Sequence, residues 1–219
     1  MMALLMNLLV GLPGQRPGGL TLSLAVAIAA AAGAILLGFG YAVIATQLPR
    51  ASVPVQAAMA VLRGVPVLLL VFMLSLTSLS LRLAAVSGMV LYSLAHVGEI
   101  LRAFLALYPV HMVEQANLLG LTPGREWVAL RIPWTFWHSL PTLGTHWVSL
   151  LKDTGALVIL GMPELTTVTK MIAEGPVGQE RWVEVLLLGT GLYLAAALAL
   201  VWGLRSLMRR GAGRAIPVH

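Results

Sequence analysis

Along the chain, long apolar runs alternate with short polar breaks, and the breaks place the elements. From Pro17 to Pro49 nothing is charged, and Leu20 to about Leu48 is long enough for a first membrane span. Within it Ala30, Ala34 and Gly38 set a small residue at every fourth position, a row that lets another helix approach closely. Arg63 and Arg82 bracket a second, shorter span with a helical lead from Val55. A third runs from about Leu83 to Leu107 and carries His96, Glu99 and Arg102. After a polar stretch from Tyr108 to about Trp134, a fourth run extends from roughly Phe136 to Gly161 and contains the adjacent pair Lys152 and Asp153. The fifth, Val185 to Leu204, is uncharged. The pattern predicts an all-α polytopic membrane protein of about five transmembrane helices, one domain over residues 18–209. The start, MMALLMNLLVGLPGQ, is too short to cross and has no basic residue before its apolar run, so residues 1–17 read as an outer-side interfacial lead.

Composition agrees with that reading. Of 219 residues, 59% are hydrophobic and 10% charged, and the mean hydropathy is +0.92. A soluble domain carries about 25% charged residues, so this chain has too few to cover a water-facing surface. The net charge of +6 comes mostly from residues at the ends of apolar runs; only Arg205, Arg209, Arg210 and Arg214 cluster, directly after a hydrophobic stretch. That is the positive-inside placement, and nucleic acid is not expected as a partner. There is no cysteine and no His-Glu-x-x-His, so thiolate and zincin metal sites have no ligands. No metal, cofactor or catalytic residue is expected.

An odd number of spans puts the termini on opposite sides. With the C-terminus and residues 210–219 in the cytoplasm, Arg50, Arg63, Arg102, Arg125, Arg131 and the four C-terminal arginines fall inside, against Arg16, Arg82, Lys170 and Arg181 outside, nine to four. The bias favours N-terminus out and C-terminus in, and Trp134 and Trp137 then lie near the inner interface.

The stretch at residues 108–134 is too polar to cross and too patterned for a slack linker. Glu114 to Leu119 suits a short helix, with Gly120 as a left-handed stop. Thr122 and Pro123 suit the N-cap and first position of a second helix, which Pro133 would close. Spacing alone leaves it as either a connector or a functional two-helix loop.

Glu114, Gln115, Ala116 and Gly120, followed by Ile132 and Pro133, resemble the Glu-Ala-Ala loop of ATP-binding-cassette importer permeases. More narrowly, the chain resembles permeases of the polar amino-acid uptake group, through TLSL at Thr21, RGVP at Arg63, Glu99 with Arg102, Leu140-Pro141 and LLKDTGAL at Leu150. Gln115 stands where the family usually has Ala, His111-Met112 replaces Gly-Gln, Val65 replaces Thr, Gly155 replaces Ser, and Ala103-Phe104 replaces paired glycines. The resemblance implies a permease subunit coupled by Glu114, Gln115, Ala116, Gly120, Ile132 and Pro133 to a cytoplasmic ATP-binding subunit in two copies. It also implies a second permease subunit, identical or related, an external substrate-binding protein, and a polar amino acid or similar small zwitterion as substrate. The ATPase must be another chain, because neither lysine ends a P-loop: Lys152 follows Leu151 and Lys170 follows Thr169.

Charge inside a span is costly and points to function. On a helix, Thr142, Thr145, His146, Ser149, Lys152 and Asp153 make one polar stripe, and Tyr92, His96, Glu99 and Arg102 make a matching one on the third span. Either these groups only pair with one another, or Glu99, Asp153, Lys152, Thr154, Ser149 and His96 line a substrate path or gate. In the second reading, Glu99 and Asp153 meet a substrate ammonium group and Lys152 a carboxylate. Glu164, Lys170, Glu174, Glu180 and Arg181 form either a solvated outer face or a contact for the binding protein. The competing reading is a secondary transporter or channel without an ATPase, though no repeat between the halves supports it. An intramembrane serine protease is the weaker rival: Ala85-Val86-Ser87-Gly88 lacks the leading glycine of a nucleophile turn.

Overall fold

The computed structural model describes residues 2–50, 52–176 and 178–212. Arg214, in the expected cytoplasmic tail, lies outside the described residues. The architecture is all-α, as the apolar runs predict. The N-terminal lead is a short helix, α1 (Met2–Val10), docked rather than free: Leu8 is fully buried against Leu165 and Val168.

The longest packing seam joins α2 (Gly19–Gln47) to α5 (Leu81–Ala106). Ala30, Ala34 and Gly38 are all buried on it, as their spacing predicts. At Gly38 an added Cβ would sit 3.2 Å from the Gly98 backbone nitrogen, and one on Gly98 would sit 2.8 Å from the Tyr41 ring. Small residues therefore bring the two backbones close enough for extended van der Waals contact, which replaces the hydrophobic drive that hydrocarbon cannot supply.

The expected second span is corrected in length: its helical lead is α3 (Val53–Gly64), and the span itself is only α4 (Val67–Ser75), bent by 100° from the lead. Pro66 has no N–H and its ring disfavours helical geometry in the preceding residue, and Val65 is accordingly extended, with φ −84° and ψ 124°. Gly88 lets α4 pack on α5, because a Cβ there would lie 2.9 Å from the Val71 Cα. Ser87-Gly88 is thus a packing step within α5.

The loop helix α6 (Val110–Leu118) starts earlier than Glu114 but ends where expected. Leu121 N donates to Ala116 O and Gly120 N to Asn117 O, each at 3.0 Å, with Gly120 at φ +68°. This is a Schellman stop, which requires the left-handed backbone that glycine adopts without strain. Thr122 is extended and Pro123 opens α7 (Pro123–Glu126), although the threonine side chain makes no capping bond. Pro133 does not close the second helix. The chain passes from α7 through a π-helical turn, Trp127–Arg131, directly into α8 (Ile132–Asp153), with Pro133 in the first turn of α8.

α8 ends at Asp153 and continues as a 3-10 segment, Thr154–Leu160, closed by Gly161 at φ +63°. α9 (Leu165–Glu174) and α10 (Trp182–Ala212) complete the chain. Glu164 is fully buried and N-caps α9, accepting from Thr166 N at 2.8 Å and Thr167 N at 2.7 Å. It also accepts from the Tyr193 hydroxyl of α10 at 2.9 Å and from Ser23 of α2 at 3.4 Å. It is therefore an interior tie, which removes it from the expected outer charged face.

α2, α5 and α10 are each long and apolar enough to cross a membrane, and the bent α3–α4 pair makes a fourth crossing if counted as one. α8, with 22 residues, is long enough but carries the polar stripe. Gly88→Ala is expected to destabilise the protein by about 1–3 kcal/mol, since the Val71 backbone cannot yield as a side chain could. Gly40→Ala, where an added Cβ meets nothing within 4 Å, is the neutral control; thermal unfolding in detergent compares the two.

Candidate functional site: a polar cleft and the adjoining loop

α3, α5 and α8 enclose a cleft of about 760 Å³. Its walls include Arg63, His96, Glu99, Thr142, Thr145, His146 and Ser149, so the two polar stripes do face one another. α5 and α8 are pinned there by polar contacts. Ser93 Oγ lies 2.9 Å from His146 Nε2, and the His96 and His146 rings stack at 5.2 Å with 15° between planes. Tyr92 tilts against His96 at 4.8 Å, and its carbonyl meets His96 Nδ1 at 3.0 Å.

Glu99 is saturated by its neighbours. Arg102 Nε donates to both carboxylate oxygens, at 3.0 and 3.1 Å, Tyr41 from α2 donates at 3.1 Å, and Arg63 Nη1 stands 3.5 Å away. The local pairing of Glu99 with Arg102 is real, and it is part of a four-residue cluster holding α2, α3 and α5. Sequence spacing did not reveal Tyr41 and Arg63 as members, because both come from other helices.

Lys152 and Asp153 diverge. Asp153 turns towards the Tyr92 hydroxyl, whereas Lys152 is exposed in a groove between α8 and α10 that also contains Ser149 and Arg205. Neither makes an ion pair among the described residues. Both stand where α8 passes into the 3-10 segment. Thr154 is fully buried, donates to Leu151 O at 2.7 Å and does not line the cleft. Among the described residues no three His, Asp or Glu side chains come together to hold a metal ion.

On the adjoining loop, Glu114, Gln115 and Gly120 are exposed and Ala116 is buried. Leu118 and Leu119 are 87% and 79% exposed, an apolar tip on a rigid stop. Pro133 is exposed and Ile132 half-buried where the loop joins α8. The junction is built on Arg131, whose guanidinium lies over the Tyr108 ring at 4.9 Å and the Trp127 ring at 4.5 Å and pairs with buried Glu126 at 3.1 Å. Trp134 meets Tyr108 edge-on and stacks on His138. Burial, with Glu126 nearby, raises the Tyr108 hydroxyl above its ordinary pKa, keeping it a donor. An alternating polar–aromatic reading of residues 126–138 would have flagged this junction; the i,i+5 spacing of Glu126 and Arg131 hid it.

No family model matches the chain. Curated relatives do. The glutamine transport system permease protein of Escherichia coli K12 is 32% identical over 163 residues, 68% of this chain and 71% of that one. The probable glutamine ABC transporter permease protein of Bacillus subtilis strain 168 is 28% identical over 80% of this chain and 85% of its own. The arginine ABC transporter permease protein of E. coli K12 is 34% identical over 42% of this chain and 38% of its own. Among solved structures, an amino acid ABC transporter crystallised with histidines superposes with a TM-score of 0.75 at 22% identity, covering 95% of this chain and 94% of the other. The inward-facing MetNI methionine ABC transporter gives 0.73 at 16% identity, covering 96% and 97%. The fold is thus that of an ABC importer permease.

The chain belongs to the permease proteins of amino-acid ATP-binding-cassette transporters. It is the non-catalytic, membrane-embedded subunit of an ATP-driven importer, a multi-pass protein of the inner membrane, and its ATP-binding subunit is a separate chain. Family membership removes the reading as a secondary transporter or channel.

The Glu99 cluster is half-exposed to the cleft, so its coupling should fall between surface and buried values. A double-mutant cycle of Glu99→Leu and Arg102→Leu is expected to give about 1 kcal/mol of interaction in thermal or denaturant unfolding. Strict additivity would show that this pair within α5 adds no coupling of its own to the cluster.

Proposed function

We propose that this permease carries a polar amino acid or similar small zwitterion, and that α6 and the segment after Gly120 couple its cleft to the ATP-binding subunit. The observation that carries the coupling reading is the exposed tip of α6. Glu114, Gln115, Leu118 and Leu119 stand free on a helix whose stop at Gly120 fixes the angle of the next segment. That segment runs without a break into α8 and the cleft. Glu114 and Gln115 are the polar contacts, Ala116 packs the helix onto the bundle, Gly120 sets the angle, and Ile132 and Pro133 join the lever to α8. Two copies of the ATPase serve two permease subunits, this chain and an identical or related mate, because one bundle of five spans does not enclose a path. An external binding protein delivers substrate at the outer face, where Lys170, Glu174, Glu180 and Arg181 are exposed.

The orientation is N-terminus outside and C-terminus in the cytoplasm, with α8 and its 3-10 continuation as the fifth crossing. Residues 1–17 are an outer lead, 18–209 the permease domain, and 210–219 a cytoplasmic tail. Within the path, Asp153, His96 and Ser149 meet the substrate, with Lys152 at the rim. Glu99, held by two arginines, acts as the gate rather than as the ammonium ligand. Thr154 positions the end of α8 from behind. Relatives are named for glutamine and arginine, which supports the substrate class and no single amino acid.

Tagged purification in mild detergent, with co-purifying chains identified by mass, is expected to recover a P-loop ATPase that Glu114→Arg loses. Retention of the ATPase by the variant would sink the role given to Glu114. Asp153→Ala is expected to lower substrate-stimulated ATPase activity about tenfold, the equivalent of one charge-assisted hydrogen bond of roughly 1.5 kcal/mol. Unchanged stimulation would remove Asp153 from the path.

A further inference from the structure

The junction between loop and cleft is a π-helical turn, a rare element concentrated at functional sites. Its origin is readable. In an ordinary α-helix the Pro133 ring would collide with the carbonyl four residues earlier, that of Ala129. Widening the turn relieves the collision, and Ile132 N accordingly donates five residues back, to Trp127 O. The wide turn also makes the Glu126–Arg131 ion pair, at 3.1 Å, geometrically feasible. At 3.6 residues per turn, positions five apart point about 140° away from each other, so a straight α-helix would pull this pair apart. The ion pair therefore depends on the π-turn and helps to hold it. Glu126 is 4% exposed, so its separation from Arg131 would leave a carboxylate buried without its cation.

Around the same turn, the Tyr108 hydroxyl, Trp134 Nε1 and Thr135 Oγ1 are buried without hydrogen-bond partners among the described residues. Buried donors without partners carry a free-energy cost. Donors unmet in this arrangement are available to another, and an element with two arrangements is what conformational coupling needs.

We propose that the Trp127–Arg131 turn is a register switch between the loop and α8, with Glu126 and Arg131 as its positioning residues. This rests on the reading that the loop docks on the ATPase. When the ATPase moves the loop, its stroke drives the π-turn into an α-helix kinked at Pro133, the ion pair opens, and the helical phase shifts by about one residue, ~100°. That rotation is shared between the loop and α8, whose stripe carries Thr145, His146 and Ser149 into the cleft. When the clamp reforms, the stripe returns. The ATPase stroke is thereby converted from a push into a twist of the cleft wall.

The absence of cysteine makes the test direct. Arg125→Cys with Leu130→Cys, five apart across the turn and outside the clamp, supplies the only thiols of this chain. The double variant is purified with its ATPase, placed in lipid nanodiscs, and treated with a short bifunctional methanethiosulfonate, first without nucleotide and then trapped with ATP and vanadate. Cross-linking is expected to fall about threefold or more on trapping, because the two positions leave a common face as the π-turn becomes α-helix. Adding Arg131→Gln should abolish the difference between the two states, and Arg131→Lys, which keeps the charge, should preserve it. A purely structural ion pair would leave that difference unmoved. Equal yields in both states, with the ATPase present, would overturn the switch alone. A preparation that has lost the ATPase would overturn the docking reading and the switch with it, and the two failures are told apart on the gel before any cross-linker is added.

Discussion

A methyl group on Gly38 or Gly98 would press into the facing helix, and that tight fit between α2 and α5 governs what the other helices can do. Hydrocarbon gives apolar side chains no reason to seek one another, so close backbone approach and interhelical hydrogen bonds must hold the bundle. The seam fixes the face of α5, and with it the positions of Tyr92, His96 and Glu99. It also brings Tyr41 within 3.1 Å of Glu99, so one contact serves both packing and charge compensation. On the other side of α5, Gly88 admits the Val71 backbone, and α4 packs there as a short half-span.

The polar groups follow the same economy. Glu99 is shared among Arg63, Arg102 and Tyr41, and Glu164 among Ser23, Thr166, Thr167 and Tyr193. Each carboxylate draws donors from at least three helices, so each ties the bundle where apolar contact alone would leave it free to slide. Asp153 differs: it has no cation among the described residues and faces Tyr92 at the end of a helix. Asp153 is thus the one carboxylate of the three that does not tie several helices together.

Three departures from α-helical backbone stand at the ends of α3 and α8, two of the helices that wall the cleft. Val65-Pro66 breaks α3 from α4 beside Arg63, the π-turn precedes α8, and the 3-10 segment follows Asp153. Backbone of this sort survives inside a membrane protein only where protein or a water-filled cavity satisfies its polar groups. α2 and α5, by contrast, run as continuous helices along their seam.

The apolar runs by themselves determined the all-α membrane architecture, the small-residue row of α2, the extent of α5 and the stop at Gly120, because each depends on local periodicity or on a backbone conformation that few residues adopt. Local pattern also located the two polar stripes, whose confrontation follows from the cost of turning them to lipid. What it misjudged were the effects of proline and the partners of charge. Pro66 turns the second span sharply away from its helical lead, and Pro133 widens a helix that local rules would end. Whether a proline breaks, bends or is absorbed is set by what packs around the freed carbonyl. Glu164 looked like an outer surface charge and proved to be interior, while Lys152 and Asp153, neighbours in the chain, face different helices. Only the tertiary structure decides such matters, since the partners of a buried charge come from helices far apart in sequence.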